Sequence, residues 1–145
     1  MRRIMLLFIS CFTIAGASAH SRTMASDTSK LPKTAKEFIK KHFIRTNISH
    51  VKEEEGIWIW KTYEVILTDG SDIEFDHAGE WTEIDCERQA VPGEIIPSRI
   101  REHVNKNHPG QIIVSIKKES KGYEIQFLDG RELKYNRKGN FLRFD

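Results

Sequence analysis

Three acidic side chains at alternate positions, Asp72, Glu74 and Asp76, are the residues whose types and spacing most directly suggest chemistry. Alternate residues of a β-strand project from the same face, so one strand would bring the three carboxylates together. Carboxylate oxygens are ligands for Ca²⁺, and two neighbouring carboxyl groups can act as general acid and general base. We favour a solvated charged face, because strands lack the loop geometry that calcium prefers, and keep a cation site as the weaker alternative.

The histidines and cysteines form no recognisable metal or nucleophilic site. The six histidines include no HExxH pair, and no Cys/His spacing is typical of zinc. Cys86 could be a reactive thiol or an intermolecular bridge, but no base lies near it in sequence, so we expect a tolerated surface or half-buried residue. No GxSxG, glycine-rich phosphate loop or Ser/His/Asp constellation is present. The sequence therefore predicts no catalytic residue, no cofactor and no enzyme.

Two tryptophans, Trp58 and Trp60, could form a binding surface. If a straight strand runs from them through residues 63–67, with Tyr63 facing the core, both tryptophans and Ile66 lie on the opposite face. Leu128 is expected on that same face in the second half of the chain. Because tryptophan is enriched at protein–protein hot spots, we predict that these four residues contact a partner protein. Alternatively, a bulge or turn reverses the alternation and places both tryptophans in the core.

The elements that would position these residues occur twice. Residues 63–81 and 123–141 both have apolar residues at every second position around an Asp-Gly pair, which predicts antiparallel strands joined by tight turns. Upstream of each, residues 31–43 and 96–108 show helical spacing after a proline that suits a first helical turn. The first copy carries an insertion of five residues that contains the tryptophans. In place of the three carboxylates, the second copy has Glu132, Lys134 and Asn136.

These patterns predict an α+β fold of tandem duplicated units, each a helix followed by a four-stranded antiparallel β-meander, with the helices packed on one face of the sheet. We assign repeat 1 to residues 31–85, a connector to 86–95 and repeat 2 to 96–145. Each repeat has about 50 residues, near the lower limit for burying an independent core. We therefore expect one compact domain in which the meanders join or abut.

The start of the chain predicts export. Arg2 and Arg3 precede an apolar run at 4–14 and an Ala-Ser-Ala cleavage site that ends at Ala19. We therefore assign residues 1–19 to a cleaved signal peptide and place the protein in the periplasm or outside the cell. A lipoprotein anchored through Cys11 is the less favoured alternative.

The remaining charge is balanced. Removing Arg2 and Arg3 from the 23 Lys+Arg leaves 21 against 21 Asp+Glu. Without a basic patch, nucleic acid is not expected as a partner. Residues 20–30 are short and polar, so we predict a flexible tether, and no later stretch is long and apolar enough to be predicted as a membrane span.

Repeat 1 contains YEV, DG, G and W in this order, the linker contains VPGEIIP, and repeat 2 contains YEI, DG, G and F in this order. This pattern resembles the PepSY-like family of β-lactamase-inhibitor-like exported bacterial proteins. The resemblance extends over residues 31–145. It implies a helix-plus-sheet unit in tandem, similar to the β-lactamase inhibitor protein, which clasps its enzyme on a sheet face. PepSY domains proper are thought to restrain peptidases, and the family has no catalytic residues to transfer.

These observations together predict a non-catalytic exported module that binds another envelope protein through an open β-sheet face. By occlusion, it would inhibit or regulate an envelope hydrolase or peptidase. The alternative is a periplasmic protein that binds a small ligand, namely a glycan, a peptide or a cation. The sequence identifies neither the partner nor the oligomeric state.

Overall fold

Eight antiparallel strands and two short α-helices make up most of the computed structural model, which describes residues 27–55 and 61–145. The helices are α1 (Lys33–His42) and α2 (Ser98–Asn107), and a 3-10 turn at Thr28–Lys30 precedes α1. The strands are β1 (Ile48–Glu55), β2 (Lys61–Leu67), β3 (Asp72–Phe75), β4 (Trp81–Asp85), β5 (Ile113–Glu119), β6 (Gly122–Phe127), β7 (Glu132–Asn136) and β8 (Phe141–Phe144). The predicted signal peptide and most of the predicted tether lie outside the described residues.

Both helices follow the local signals in the sequence. Pro32 and Pro97 each stand immediately before the first helical residue, with φ of −52° and −51°. Residues one turn apart provide the apolar side, Ala35 with Ile39 in α1 and Ile100 with Val104 in α2, and all four side chains are buried. The predicted helices are thus confirmed, with ends a residue or two inside the expected ranges.

The predicted turns are also confirmed. Gly70 and Gly130 follow the two predicted aspartates with φ of +91° and +88°. Gly79, at the β3–β4 turn, has φ of +82°, and a Cβ there would lie 2.8 Å from the Cβ of Pro32. Only glycine therefore allows this turn to pack under the start of α1.

The strands form one sheet in the order β1-β2-β3-β4-β5-β6-β7-β8. Its centre is the pairing of β4 with β5, in which Ile84 lies opposite Ile116, so the two meanders share one sheet. The predicted fold class, an α+β arrangement of tandem duplicated helix-plus-meander units, is wrong. The structure is mostly β, a single eight-stranded sheet with two helices of ten residues each. The repeated pattern identified local elements, but the pairing across the connector makes the sheet continuous, and a local pattern does not specify that pairing.

One side of the sheet holds the core. Alternate strand residues such as Val65, Ile73, Ile84, Ile125 and Leu133 are fully buried in the same cluster as the apolar residues of α1 and α2. Aromatic contacts join the layers, since Phe38 of α1 meets Phe75 at 5.8 Å. Both α-helices therefore pack on this side, and the intervening strand residues point the other way.

Candidate binding face

The strand side chains that point away from α1 and α2 form a surface that we call the open face. Two residues from β2 and β3 illustrate the alternation: Glu64 lies between the buried Tyr63 and Val65, and Glu74 lies between the buried Ile73 and Phe75. The open face is polar where the core side is apolar. Its chemistry therefore rests on charges and their pairing.

A row of charged residues crosses all eight strands of this face. Each member is the register partner of the next. We call it the charged row, and its members are Lys52, Glu64, Glu74, Glu83, Lys117, Glu124, Lys134 and Arg143. Side chains directly opposite on neighbouring strands have Cβ atoms about 5 Å apart, so adjacent members interact.

Four of the seven neighbouring pairs along the charged row have opposite charge, and three of these four form ion pairs. The Lys52 ammonium lies 2.5 Å from a Glu64 carboxylate oxygen. The same distance separates Lys117 from Glu83 across the β4–β5 pair. These contacts leave the carboxylates partly shielded from water, with side chains 23% and 29% exposed.

Glu74 is the one member of the charged row with a like-charged register partner on each side, because both partners are glutamates. Among the residues that the structure describes, Glu74 forms no ion pair within 4.0 Å. Desolvation, followed by the charge of Glu83, raises the pKa of the Glu74 carboxyl above its usual value. Like charges directly opposite one another destabilise a sheet. Glu64, Glu74 and Glu83 therefore form an acidic centre within the first half of the face.

Asp72 adds to this acidic centre from the neighbouring row, where its register partners are Ile66 and Asp85. Desolvation raises the pKa of Asp72 to about 6, and the Glu64 carboxylate adds to the shift through its charge and a hydrogen bond. Its Oδ1 atom is shielded from solvent and has no hydrogen-bond partner among the described residues. The negative charge of Glu64 therefore disfavours the charged form of the Asp72 carboxyl group.

Of the four predicted partner contacts, the structure describes Ile66 and Leu128. Trp58 and Trp60 lie outside the described residues. Ile66 is half-buried on the open face, and Leu128, 49% exposed, follows the end of β6. Because β2 and β6 run in the same direction and four strand spacings apart, these two positions are separated by about 19 Å. Leu128 follows the end of β6, so it lies at the end of the sheet opposite to the start of β2.

The structure separates the predicted carboxylate trio. Asp72 and Glu74 lie on the open face, but β3 ends at Phe75 and Asp76 belongs to the following turn. There its Oδ1 accepts hydrogen bonds from the backbone N–H groups of Ala78 and Glu80, both at 2.9 Å. Aspartate commonly starts such turns by bonding nearby backbone groups. Asp76 therefore shapes the β3–β4 turn, and a cation site at these three carboxylates stays a prediction.

A different carboxylate group lies on the second half of the open face, and the sequence analysis missed it. Oxygens of Glu124, Glu132 and Asp145 lie within 4.8 Å of one another. The Lys134 ammonium pairs with two of them, at 3.1 Å from Glu124 and 2.8 Å from Asp145. The repeat pattern places these residues on neighbouring strands, and only the strand register reveals their proximity.

Cys86 is a core residue, so the predicted surface or half-buried position is wrong. Its side chain is 3% exposed and lies at the base of a cleft of about 260 Å³ between the α1–β1 connection and the connector after β4. Burial raises the pKa of the Cys86 thiol. A thiol with a raised pKa is a weak nucleophile at neutral pH. His42, which also lines the cleft, places its Nδ1 atom 3.1 Å from Glu94.

Comparison with known protein families shows which family the chain belongs to. A family model described as "Putative beta-lactamase-inhibitor-like, PepSY-like" matches residues 61–143. The chain belongs to this PepSY-like family. The resemblance seen in the sequence is therefore confirmed. Among curated proteins, none matches this PepSY-like chain.

Solved structures of Bacteroides proteins agree with the assignment. A "putative periplasmic protein of unknown function" from Bacteroides vulgatus is 37% identical with a TM-score of 0.81, covering 84% of this chain and 97% of its own. A "putative calcium-regulated periplasmic protein" from Bacteroides thetaiotaomicron is 36% identical with a TM-score of 0.76, covering 81% and 92%. Both neighbours are thus described as periplasmic. Among the described residues of the present chain, no helix is both long and apolar enough to cross a membrane.

Proposed function

We propose that this protein is an exported, non-catalytic binding module whose open face docks on another protein of the cell envelope. By occlusion, it would inhibit or regulate a hydrolase or peptidase there. The observation that carries the proposal is the acidic centre, in which Glu74 lies between two other glutamates. Such an arrangement costs stability in the free protein, and a cationic group on a partner would relieve it.

The size and charge of the face support a protein as the partner. Eight strands at their usual spacing present a surface roughly 34 Å wide, which exceeds a small-molecule pocket. The acidic centre lies in the first half, whereas Lys134 and Arg143 lie in the second. A partner with complementary charges would thus be oriented as well as attracted. Trp58, Trp60 and Ile66 are proposed as apolar contacts, with Leu128 at the rim.

Export and the lack of catalysis are supported by the relatives. Both solved neighbours are described as periplasmic, and the family model is described as inhibitor-like. Cleavage after Ala19 would release residues 20–145, and attachment through Cys11 is the alternative route to the envelope. The protein would need no cofactor for occlusion.

Capture from periplasmic extract with three forms of the protein tests this function. We expect residues 20–145 to retain an envelope protein that Glu74→Lys loses, because the substitution removes the acidic centre. Glu37→Lys makes the same charge change on the exposed surface of α1 and serves as the matched control. Equal retention by all three forms would contradict binding through the open face.

The tryptophans are tested by a second variant in the same capture. Trp58→Ala with Trp60→Ala should weaken retention while leaving the melting temperature nearly unchanged, because hot-spot aromatic residues contribute to binding more than to folding. A loss of several degrees would instead place both tryptophans in the core and remove them from the proposed contacts.

A second candidate function is cation binding. It is favoured by the proximity of Glu124, Glu132 and Asp145, and one solved neighbour is described as calcium-regulated. Calcium would have to displace the Lys134 ammonium from this group. We expect Ca²⁺, and not equal Mg²⁺, to raise the melting temperature of wild type but not of Glu132→Gln. An equal effect of both ions, or none, would contradict this candidate.

A further inference from the structure

The last strand of the sheet, β8, has an apolar outer edge. Leu142 is 57% exposed and Phe144 is 54% exposed. The strand at the other edge of the sheet differs, since β1 buries Val51 and carries Lys52, Glu53 and Glu54. Charged side chains are a usual protection of edge strands, and exposed apolar side chains are not. The two edges of this sheet are therefore not equivalent.

The internal repeat shows what an edge of this kind accepts. By the correspondence of the repeats, β8 is the counterpart of β4, with Phe144 at the position of Ile84. Ile84 is fully buried because β5 lies beside it and places Ile116 opposite. Each strand also has a β-bulge at the corresponding position, where Thr82 is the extra residue in β4 and Leu142 is the extra residue in β8. Phe144 is half-exposed because no described strand takes the place of β5.

The backbone of β8 leaves groups for such a strand. The Asp145 N–H donates to the Glu132 carbonyl at 3.0 Å, so this group faces β7. Successive residues of an antiparallel strand direct their backbone groups to alternate sides, so those of Phe144 face outward. In β4 the same outward side pairs with β5, and the Cys86 N–H then donates to the Val114 carbonyl at 2.8 Å.

We propose that the outer edge of β8 binds an extended peptide segment of a partner protein as a ninth antiparallel strand, with an apolar residue opposite Phe144 and an acidic residue opposite Arg143. The segment needs an acidic residue because Arg143 is positively charged, whereas its counterpart in β4, Glu83, is negatively charged. Between β4 and β5, Glu83 meets a lysine, Lys117, at 2.5 Å. At the corresponding position β8 has Arg143, whose side chain is 64% exposed although it contacts Asp145 at 3.2 Å. The segment therefore needs the opposite charge to that of β5.

A second copy of the chain fits this edge less well. If its β1 continued the sheet in the same register, Lys52 would lie opposite Arg143, and like charges oppose pairing. Arg143 also belongs to the charged row of the open face. The pairing proposed here uses the backbone edge of β8, however, so it does not depend on the function proposed for the open face.

The test uses two synthetic heptapeptides and isotope-labelled protein of residues 20–145. One peptide has the β5 sequence Ile113–Glu119, and the other has the same sequence with Lys117→Glu. Amide chemical shifts in two-dimensional NMR spectra report where each peptide binds and how tightly. We expect shifts at β8 and about fivefold tighter binding of the Glu-containing peptide, from the change of like to opposite charge.

Variants make the charge rule decisive. Arg143→Glu should reverse the preference, so that the unmodified peptide binds more tightly, and Lys134 remains beside the new carboxylate to support the fold. Arg101→Glu, the same change on the exposed side of α2, should leave the preference as in wild type. Absence of shifts at β8, or shifts that ignore the charge at residue 143, would overturn the proposal. Concentration-dependent shifts at β8 without peptide would assign the edge to a second copy instead.

Discussion

The charged row passes through both halves of the sheet on the same backbone, yet the halves differ in sign. From β1 to β4 it reads Lys, Glu, Glu, Glu, and from β5 to β8 it reads Lys, Glu, Lys, Arg. The second half alternates in sign from Lys117 to Lys134, and Lys134 pairs with Glu124 and Asp145. The first half instead places three glutamates side by side around Glu74. Because the strand register is the same, the backbone does not require this difference. The first half retains a repulsion that folding alone would remove, as expected of a surface used for binding.

The largest difference between the halves should be in the free energy of unfolding that is lost when an apolar side chain is truncated in the last strand of each half. Ile84→Ala in β4 should lower the free energy of unfolding by about 3 kcal/mol, because it empties a fully buried position. Phe144→Ala in β8 should cost about 1 kcal/mol or less, since Phe144 is 54% exposed. Urea unfolding of both variants measures the difference. Equal costs would mean that the outer edge of β8 is already covered in solution.

Reversing one charge in each half should change the melting temperature by a smaller amount. We expect a decrease from the change in the second half and an increase from the change in the first half. Lys134→Glu places a fourth carboxylate among Glu119, Glu124 and Asp145, and should lower the melting temperature by about 4 °C. Glu74→Lys supplies the cation missing from the acidic centre, and should raise the melting temperature by about 2 °C. A destabilised Glu74→Lys protein would show that the acidic centre is not repulsive.

The smallest effect should be a change in how the free energy of unfolding depends on pH. Because the pKa of Asp72 is raised to about 6 in the folded protein from 3.8, the folded state holds this proton more tightly than the unfolded chain does. The resulting stability is fully present below pH 3.8 and is lost as the pH rises through about 6. Asp72→Asn removes this loss, so its stability advantage over wild type should grow between pH 4 and pH 7. An advantage that is constant with pH would contradict the assignment.

Local features of the fold were predictable because each depends on a short stretch of sequence. The Asp-Gly turns, the prolines before α1 and α2 and the alternating strands all follow from neighbouring residues. The fold class was not predictable in this way, because the continuity of the sheet depends on the pairing of Ile84 with Ile116 across the connector. Burial of Cys86 also depends on that pairing, through its N–H bond to Val114.

The candidate site was predictable only along single strands. Asp72 and Glu74 were correctly placed on one face by alternation, but Asp76 leaves the strand because it bonds the backbone of its own turn. The acidic centre combines Glu64, Glu74 and Glu83 from three strands. Each lies at an alternate position of a predicted strand, but the register between strands is set by turn lengths and bulges, which periodicity does not give. The placement of Trp58 and Trp60 remains a prediction.

The most direct measurement of the central claim is carboxylate labelling of the protein alone and in complex with the captured envelope protein. Carbodiimide coupling followed by mass spectrometry reports the accessibility of each acidic residue. Binding through the open face predicts that Glu64, Glu74 and Glu83 lose labelling in the complex, while Glu37 of α1 and Glu102 of α2 keep it. Protection of the two helix residues, with the acidic centre still labelled, would contradict the account.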